Sequence, residues 1–385
     1  MKDPIDDLDE WLRSDFVRIN TALEEAYFVQ RVDVICGRAD LDALKMELLA
    51  GGGPLMVRLA AMPTLPENPR AAYRLLGLIG HYLAACRRHE APLSEHDGGR
   101  DAAWDVSIRI GTALGVVPRF VFAHQSLFNE AIAGRFRTFT SLPDEEIFVR
   151  LNALGVIAYQ RAAHALRGLA DVGVSGEVAG YLFDEAEVAL LDVLKFNQDL
   201  NRQLNVDRFF LNIRPYFKTY RVGDREYRGA NAGDFSAINE IDVALGLCRM
   251  DDPFYRAIVT EKFRHVPPDD QEALRTLDRR QSLLDLFLQE LDTAGATGHW
   301  RNNAARFLRV CKAHGAAYAH HHHRLVKAYV EAPSKSLTSA HSAGITSSGP
   351  PLEELMSMLQ RLTDLRTARN PNEGFDRIRA CVESG

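Results

Sequence analysis

Cysteine is scarce in this sequence, and its five cysteines follow no pattern that would pair them or bind a metal. Their number is odd, and no two of them stand in a CxxC arrangement. These features argue against a disulfide framework and against a thiolate zinc site. We therefore expect the protein in a reducing, cytoplasmic compartment. The five positions are Cys36, Cys86, Cys248, Cys311 and Cys381.

Long apolar runs and basic clusters are also missing. No stretch of about 18 apolar residues is present, which predicts a protein without a membrane span. The N-terminus holds no basic stretch followed by an apolar block, so we expect no secretory signal. The net charge is −6 and the chain has no run of lysine and arginine, which argues against nucleic acid as a partner.

What the sequence does contain is helical periodicity. Of its 385 residues, 46% are apolar and 25% are charged, which is an ordinary globular composition. Apolar residues recur with a period of about 3.6 through most of the chain. Strand-like alternation is rare, and its best candidate is a small hairpin over residues 220–227, around Gly223 and Asp224. The expected fold class is therefore all-α.

Proline, glycine and acidic residues predict where several helices begin and end. Proline followed by acidic residues suits the first turn of a helix over residues 143–171. A helix over residues 40–50 is expected to stop at the glycines of residues 51–53. Towards the C-terminus, the periodicity predicts one long helix over residues 299–330.

The length allows two domains, although one large helical domain is equally compatible with it. We expect a small N-terminal helical region over residues 1–114 and a larger catalytic region over residues 115–385, or one continuous domain. Two segments interrupt the helices. Residues 223–234 carry three glycines, and residues 332–351 are rich in Ser, Thr, Gly and Pro. A loop as long as the second is either a functional lid or a disordered connector.

Four consecutive histidines, residues 320–323, lie within the long C-terminal helix. Four such residues fan over about 300° and cannot share one face. His322 falls on the apolar stripe, so we expect it to point inward while its neighbours mostly point outward. The stripe consists of Leu308, Cys311, Gly315, Ala319, His322, Val326 and Tyr329.

An inward histidine on a rigid helix suits an axial haem ligand, with one ring nitrogen on the iron and the other fixed by a hydrogen bond. The pattern by itself also allows the more common role of a hydrogen-bonded core residue. A divalent metal held by His320 and His323 is a third interpretation, although no matching motif completes such a site.

Arg214 stands in an aromatic stretch, residues 209–217, directly before Pro215. Proline biases the preceding residue away from helical geometry, so we expect the guanidinium at a helix end. There it could bind a carboxylate bidentately, with aromatic rings beside it for a flat ligand. The plainer alternative is that Arg214 caps helix carbonyls and that the phenylalanines belong to the core.

Residues 229–236 form a glycine-containing turn of small residues before the next helix. Small residues let the backbone approach a ligand or cofactor closely. The turn lacks the spacing of a phosphate loop and follows no run of strands, so we exclude a nucleotide site.

Taken in this order, these pieces resemble the indoleamine and tryptophan 2,3-dioxygenase superfamily, and most closely its monodechloroaminopyrrolnitrin synthase branch. In the dioxygenases a phenylalanine pair precedes the substrate arginine with the spacing of Phe209–Phe210 and Arg214. The haem helix of the superfamily is similar to residues 322–330, and residues 140–145 look like a signature of the pyrrolnitrin branch. The resemblance covers roughly residues 115–330.

The resemblance implies a large helical haem domain and a haem-dependent oxygenase that oxidises tryptophan or a substituted tryptophan in specialised metabolism. Haem b is the implied cofactor, with His322 as the iron ligand and His321 as the alternative. Arg214 is implied to grip the substrate carboxylate and to be the catalytic residue. The other implied site residues are Phe209, Ile147, Leu151, Asn231 and Ala232 for the substrate, and Gly233 and Phe235 for the cofactor.

The sequence departs from the dioxygenases in two places. Their Gly-Thr-Gly-Gly turn after the haem helix has Gly344–Gly349 as its counterpart, and Ile147 and Leu151 stand where the distal pocket would hold a hydroxyl or a histidine. These departures favour ring oxidation with rearrangement over simple 2,3-cleavage.

Two other functions remain as alternatives, a peroxide-using aromatic hydroxylase and a non-catalytic haem sensor. The expected partners are an aromatic amino acid and O2 or peroxide, and the expected state is a monomer or a homodimer.

Overall fold

The computed structural model describes residues 3–91, 98–331, 352–368 and 372–384. Helices dominate this part of the chain, and its only named strands form one two-stranded hairpin. The prediction of an all-α fold is therefore confirmed. None of the described helices is long and apolar enough to cross a membrane. The loop over residues 332–351, predicted to be a lid or a connector, lies outside the described residues.

In the first half of the chain, several long helices form a layer, and two further long helices then form a helical hairpin. The predicted helix over residues 143–171 is confirmed, and it ends one residue later than expected. In order, the helices are α1 (Pro4–Arg13), α2 (Asp15–Gln30), α3 (Ala39–Ala60), α4 (Pro69–Arg88), α5 (Gly98–Leu114), α6 (Phe122–Ser126), α7 (Pro143–Val172) and α8 (Glu177–Gln203).

A compact irregular segment follows α8, and helices then resume. The segment contains α9 (Val206–Arg208), a π-helix (Phe209–Ile213), a 3-10 helix (Arg214–Phe217) and the predicted hairpin of β1 (Tyr220–Val222) and β2 (Arg225–Tyr227). Gly223 turns that hairpin with a φ of +59°.

The remaining helices are α10 (Ala237–Ala244), α11 (Pro253–Lys262), α12 (Pro268–Arg275), α13 (Leu283–Ala294) and α14 (Gly298–His320), a long π-helix (His321–Glu331), α15 (Leu352–Arg366) and α16 (Glu373–Glu383). Short 3-10 helices, Phe263–His265 and Leu277–Arg279, lie on either side of α12.

The predicted helix end at glycines 51–53 is wrong, because α3 continues through them to Ala60. These glycines serve close packing instead. A Cβ at Gly51 would lie 2.7 Å from the Trp11 ring, and one at Gly52 would overlap the Tyr82 ring. Two aromatic side chains therefore rest directly on the α3 backbone, which a side chain at either position would prevent.

Two apolar clusters make up the core, and they meet around the middle of the chain. One is formed mainly by α1–α5 and the segment after α8, and the other mainly by α7, α8, α10, α13 and α14. Leu200, Leu325 and Tyr329 belong to the first cluster although they lie far along the sequence. The division into regions 1–114 and 115–385 remains a prediction.

Helix α14 is covered on two sides. One face packs on α8 and α10, and the other packs on α15 and α16. The second contact is close at Gly315, where a Cβ would lie 2.8 Å from the carbonyl oxygen of Arg366. Backbone therefore meets backbone at the point where α15 ends.

We predict that Gly315→Ala lowers the free energy of unfolding, because the new methyl group would push α15 away from α14. Overpacking of this kind costs about 1–3 kcal/mol. Gly155→Ala is the matched control, since Gly155 lies inside α7 and a Cβ added there would have no atom within 4 Å. It should raise stability by about 0.5–1 kcal/mol. Equal effects of the two substitutions in denaturant titrations would contradict the proposed close contact.

Candidate functional site

A cavity with a volume of about 170 Å³ lies where the two apolar clusters meet. Its wall is mostly aromatic and aliphatic, and it comes from α6, α7, α8, the segment after α8, the turn over residues 230–232, the long π-helix and α15. The polar side chains on the wall are Asn152, Arg214, Asn231, His321 and Tyr329.

Arg214 reaches this wall because a buried network holds the short π-helix that precedes it. Arg88 donates to both carboxylate oxygens of Glu24, at 2.7 and 3.0 Å, and to the carbonyl oxygen of Leu211 at 3.1 Å. Asn212 donates to the same carboxylate at 2.8 Å. The backbone N–H of Arg214 donates a hydrogen bond to the Phe209 carbonyl oxygen, which completes the π-helix.

Arg214 is only 5% exposed, and within the described residues its guanidinium has neither an ion pair nor a side-chain hydrogen bond. Its guanidinium carbon lies 5.1 Å from the centre of the Phe210 ring. Burial lowers the pKa of Arg214 to about 10, so it remains cationic at neutral pH. An unpaired buried cation at a cavity is suited to an anionic ligand.

The aromatic part of the wall lies next to Arg214. Phe209 packs on Phe148 of α7 with ring centres 5.0 Å apart, and Phe148 in turn lies 5.8 Å from Phe217. The same Phe209 ring lies 6.0 Å from Tyr329 of the long π-helix. These rings form an apolar surface that fits a flat ring.

The small-residue turn brings two of its predicted site residues to the cavity and keeps two away. Asn231 and Ala232 line the wall. Gly233 and Phe235 do not: the Gly233 carbonyl accepts a hydrogen bond from Lys262 at 2.6 Å, and Phe235 packs on Tyr159 at 5.4 Å. Gly233 and Phe235 therefore hold the turn in place through contacts away from the cavity.

Helix α7 presents Phe148 and Asn152 to the cavity, where the sequence predicted Ile147 and Leu151. Leu151 is buried in the first apolar cluster, and Ile147 packs against the same cluster. The difference is one helical position. An ungapped match to a family fixes neither the rotation of a helix nor the length of the loop before it.

The histidine run agrees with expectation in part, because His322 is its buried member. His321 lines the cavity, whereas His322 is not among the described residues that do so. His322 is buried against α15. The Thr363 hydroxyl donates to the Leu359 carbonyl oxygen at 2.7 Å and so accepts from His322 Nδ1 at 2.9 Å. The Nε2 atom of His322 has no partner within the described residues.

The two buried faces of α14 explain this difference. The sequence stripe through Cys311 and Gly315 faces α15 and α16, and His322 continues it. The other face passes through His314 and Ala317, which contact α10 and α8, and it leads on to His321. Beyond residue 320 the helix widens to i→i+5 hydrogen bonding, so the period of 3.6 no longer applies.

The cavity-facing histidine has one property that a haem ligand needs, a neutral ring. Burial is the main reason that the pKa of His321 is lowered to about 4, so the imidazole is neutral at physiological pH. Neutral imidazole is the form that binds iron. With the apolar wall around it, the chemistry of the residues present fits a histidine-bound haem.

A helical protein that presents an imidazole and a buried arginine to one apolar cavity has features that suit a haem enzyme. The chain matches the family described as monodechloroaminopyrrolnitrin synthase PrnB over residues 2–380, and it belongs to that family. It is therefore an enzyme, a haem-dependent oxygenase, and the resemblance inferred from the sequence is confirmed.

Tyr329 anchors the cavity side of the long π-helix to the end of α8. Its hydroxyl donates to the Leu204 carbonyl oxygen at 2.8 Å and lies 3.0 Å from that of Asn201. We predict that Tyr329→Phe lowers the free energy of unfolding by about 1–3 kcal/mol, because buried carbonyls lose their partner. Tyr181→Phe, at a tyrosine that is 76% exposed, should have no effect on thermal denaturation. Similar melting curves for the two variants would argue against this anchor.

Proposed function

We propose that this enzyme oxidises tryptophan or a substituted tryptophan in specialised metabolism, using haem b held by His321. The observation that carries the proposal is the Arg214 guanidinium, which is buried at the cavity without an ion-pair partner among the described residues. A gas sensor has no use for a carboxylate-binding cation beside an aromatic surface, so a substrate-binding role is favoured over a sensor.

Binding of the amino acid would use both parts of the wall. Arg214 would hold the carboxylate by paired hydrogen bonds, strengthened by the apolar surroundings. Phe209 and Phe148 would pack on the flat ring, and Asn231 and Ala232 would close the wall beside them. Ile147 and Leu151 would act indirectly, by fixing the rotation of α7 and so the positions of Phe148 and Asn152.

The haem supplies the oxygen chemistry when it is bound, and the protein supplies position and a water-poor environment. His321 is the proposed iron ligand because it is the histidine on the cavity wall, and His322 remains the alternative through its free Nε2 atom. Gly233 and Phe235 would contribute by shaping the turn behind Asn231 and Ala232. The proposed oxidant is O2, and a peroxide reaction of the ferric protein is the competing route.

The ligand assignment predicts different absorption spectra for two neighbouring variants of the haem-loaded protein. His321→Ala should lose the Soret band of a histidine-bound haem, because no other imidazole lines the described wall. His322→Ala should keep that band and lose only the hydrogen bond to Thr363. The opposite pattern would assign the iron to His322. If both variants kept the Soret band, ligation by this helix would be refuted.

The carboxylate site predicts a change in affinity that depends on the ligand. Arg214→Met should weaken tryptophan binding about 10- to 100-fold, because a charge-assisted hydrogen bond contributes about 1.5–3 kcal/mol. Binding of 3-methylindole, which lacks the carboxylate, should change little. Spectral titration of the haem protein measures both affinities.

Arg208→Met is the matched control, since Arg208 is nearby but paired with Glu25 at 3.0 Å. It should leave both affinities unchanged. Equal weakening of tryptophan and 3-methylindole by Arg214→Met would show that Arg214 shapes the cavity and does not bind the carboxylate.

A further inference from the structure

We propose that the buried Asp242–Arg366 ion pair acts through Tyr318 to position the iron ligand His321 and to set the reduction potential of the haem. This inference rests on the proposed function, since it takes His321 as the ligand. It makes Arg366 and Tyr318 positioning residues for the oxygenase reaction, although neither lines the cavity.

The ion pair is the centre of a network that joins four helices. Asp242 of α10 is fully buried, and it accepts from Arg366 of α15 through Nε at 2.8 Å and Nη2 at 2.5 Å. His314 of α14 donates to it at 2.7 Å, and the Tyr255 hydroxyl of α11 donates at 2.8 Å. Four donors around one carboxylate leave it little freedom to move.

The cationic side of the pair lies towards the haem helix. The Arg366 guanidinium carbon lies 4.0 Å from the centre of the Tyr318 ring. Tyr318 precedes His321 by three residues, and their ring centres are 6.4 Å apart with an angle of 29° between planes. Arg366 and Tyr318 are 3% and 6% exposed, so water screens this stack very little.

Through the Tyr318 ring, the charge of Arg366 lies one aromatic ring away from the imidazole of His321. A positive charge near a ligated iron favours the reduced form, which has one positive charge fewer. Arg366 should therefore raise the reduction potential, and Asp242 should offset part of that effect.

The test is the midpoint potential of the haem-loaded full-length protein, measured by spectroelectrochemistry. Arg366→Met removes the cation and leaves Asp242 unbalanced, so the potential should fall. Reduction at a fixed applied potential should become less favourable by on the order of tenfold, since one unit charge at this range has an effect of that size in a protein interior. Arg366→Lys keeps the charge and should stay close to the wild type.

A structural role alone would give a different result. Arg366 also anchors α15, which carries Leu355 and Leu359 on the cavity wall. If anchoring were its only role, the Lys and Met variants would both be less stable, because lysine cannot replace the bidentate contact, and their potentials would agree. Different midpoint potentials for the Arg366→Met and Arg366→Lys variants support the proposal, and equal midpoint potentials overturn it.

Two further variants decide the matter if Arg366→Met does not fold. Asp242→Asn should move the potential upward, opposite to Arg366→Met, because the cation is then less balanced. Tyr318→Leu should change the iron–histidine stretching frequency in resonance Raman spectra, because His321 loses its stacking partner. No shift in either variant overturns the proposal.

Arg306→Met is the control, because it removes a cation of α14 that lies at the protein surface, where Arg306 pairs with Asp184. It should leave the potential unchanged. A wild-type spectrum without histidine-bound haem would instead refute the proposed function itself, which separates the two failures.

Discussion

The charge of Arg214 is the constraint on which the cavity depends. Desolvating a guanidinium without a paired carboxylate is costly, and the cost is met by the packing and hydrogen bonding of the segment that carries it. Arg88 and Glu24 lock that segment from the N-terminal helices, and Asn212 joins the same carboxylate. The N-terminal helices therefore have a role at the candidate substrate site, because they fix the position of the Arg214 cation that faces it.

Helix α14 and the long π-helix that continues it are held between two surfaces in a comparable way. Their cavity face meets α8 and α10, while their opposite face meets α15 through Gly315 and through the bond between His322 and Thr363. Wider i→i+5 turns begin at His321, where the helix reaches the cavity. Such turns are often found at functional sites, and here they coincide with the proposed ligand.

Membership in the monodechloroaminopyrrolnitrin synthase PrnB family makes the protein a haem-dependent oxygenase. The residues around the cavity explain how one helical scaffold can serve that chemistry. An imidazole kept neutral by burial, a cation that has no ion-pair partner among the described residues, and a wall of phenylalanines lie around one space. Each of these features needs exclusion of water, and two converging apolar clusters provide it.

The sequence was sufficient for the all-α class, the small hairpin and the long helix from Pro143. These follow from local signals, namely apolar periodicity and a proline with acidic residues after it. The family resemblance singled out Arg214 and Phe209, and both line the cavity. The family resemblance likewise depended on the order and spacing of motifs, which the sequence displays directly.

Tertiary structure alone decided which neighbour faces the cavity. The sequence favoured His322, Ile147 and Leu151, and the structure brings His321, Phe148 and Asn152 to the wall. Periodicity shows that a helix has an apolar face, but it does not show which partner covers that face when two faces are buried. The rotation of α7 and α14 is set by distant contacts, which no local pattern encodes.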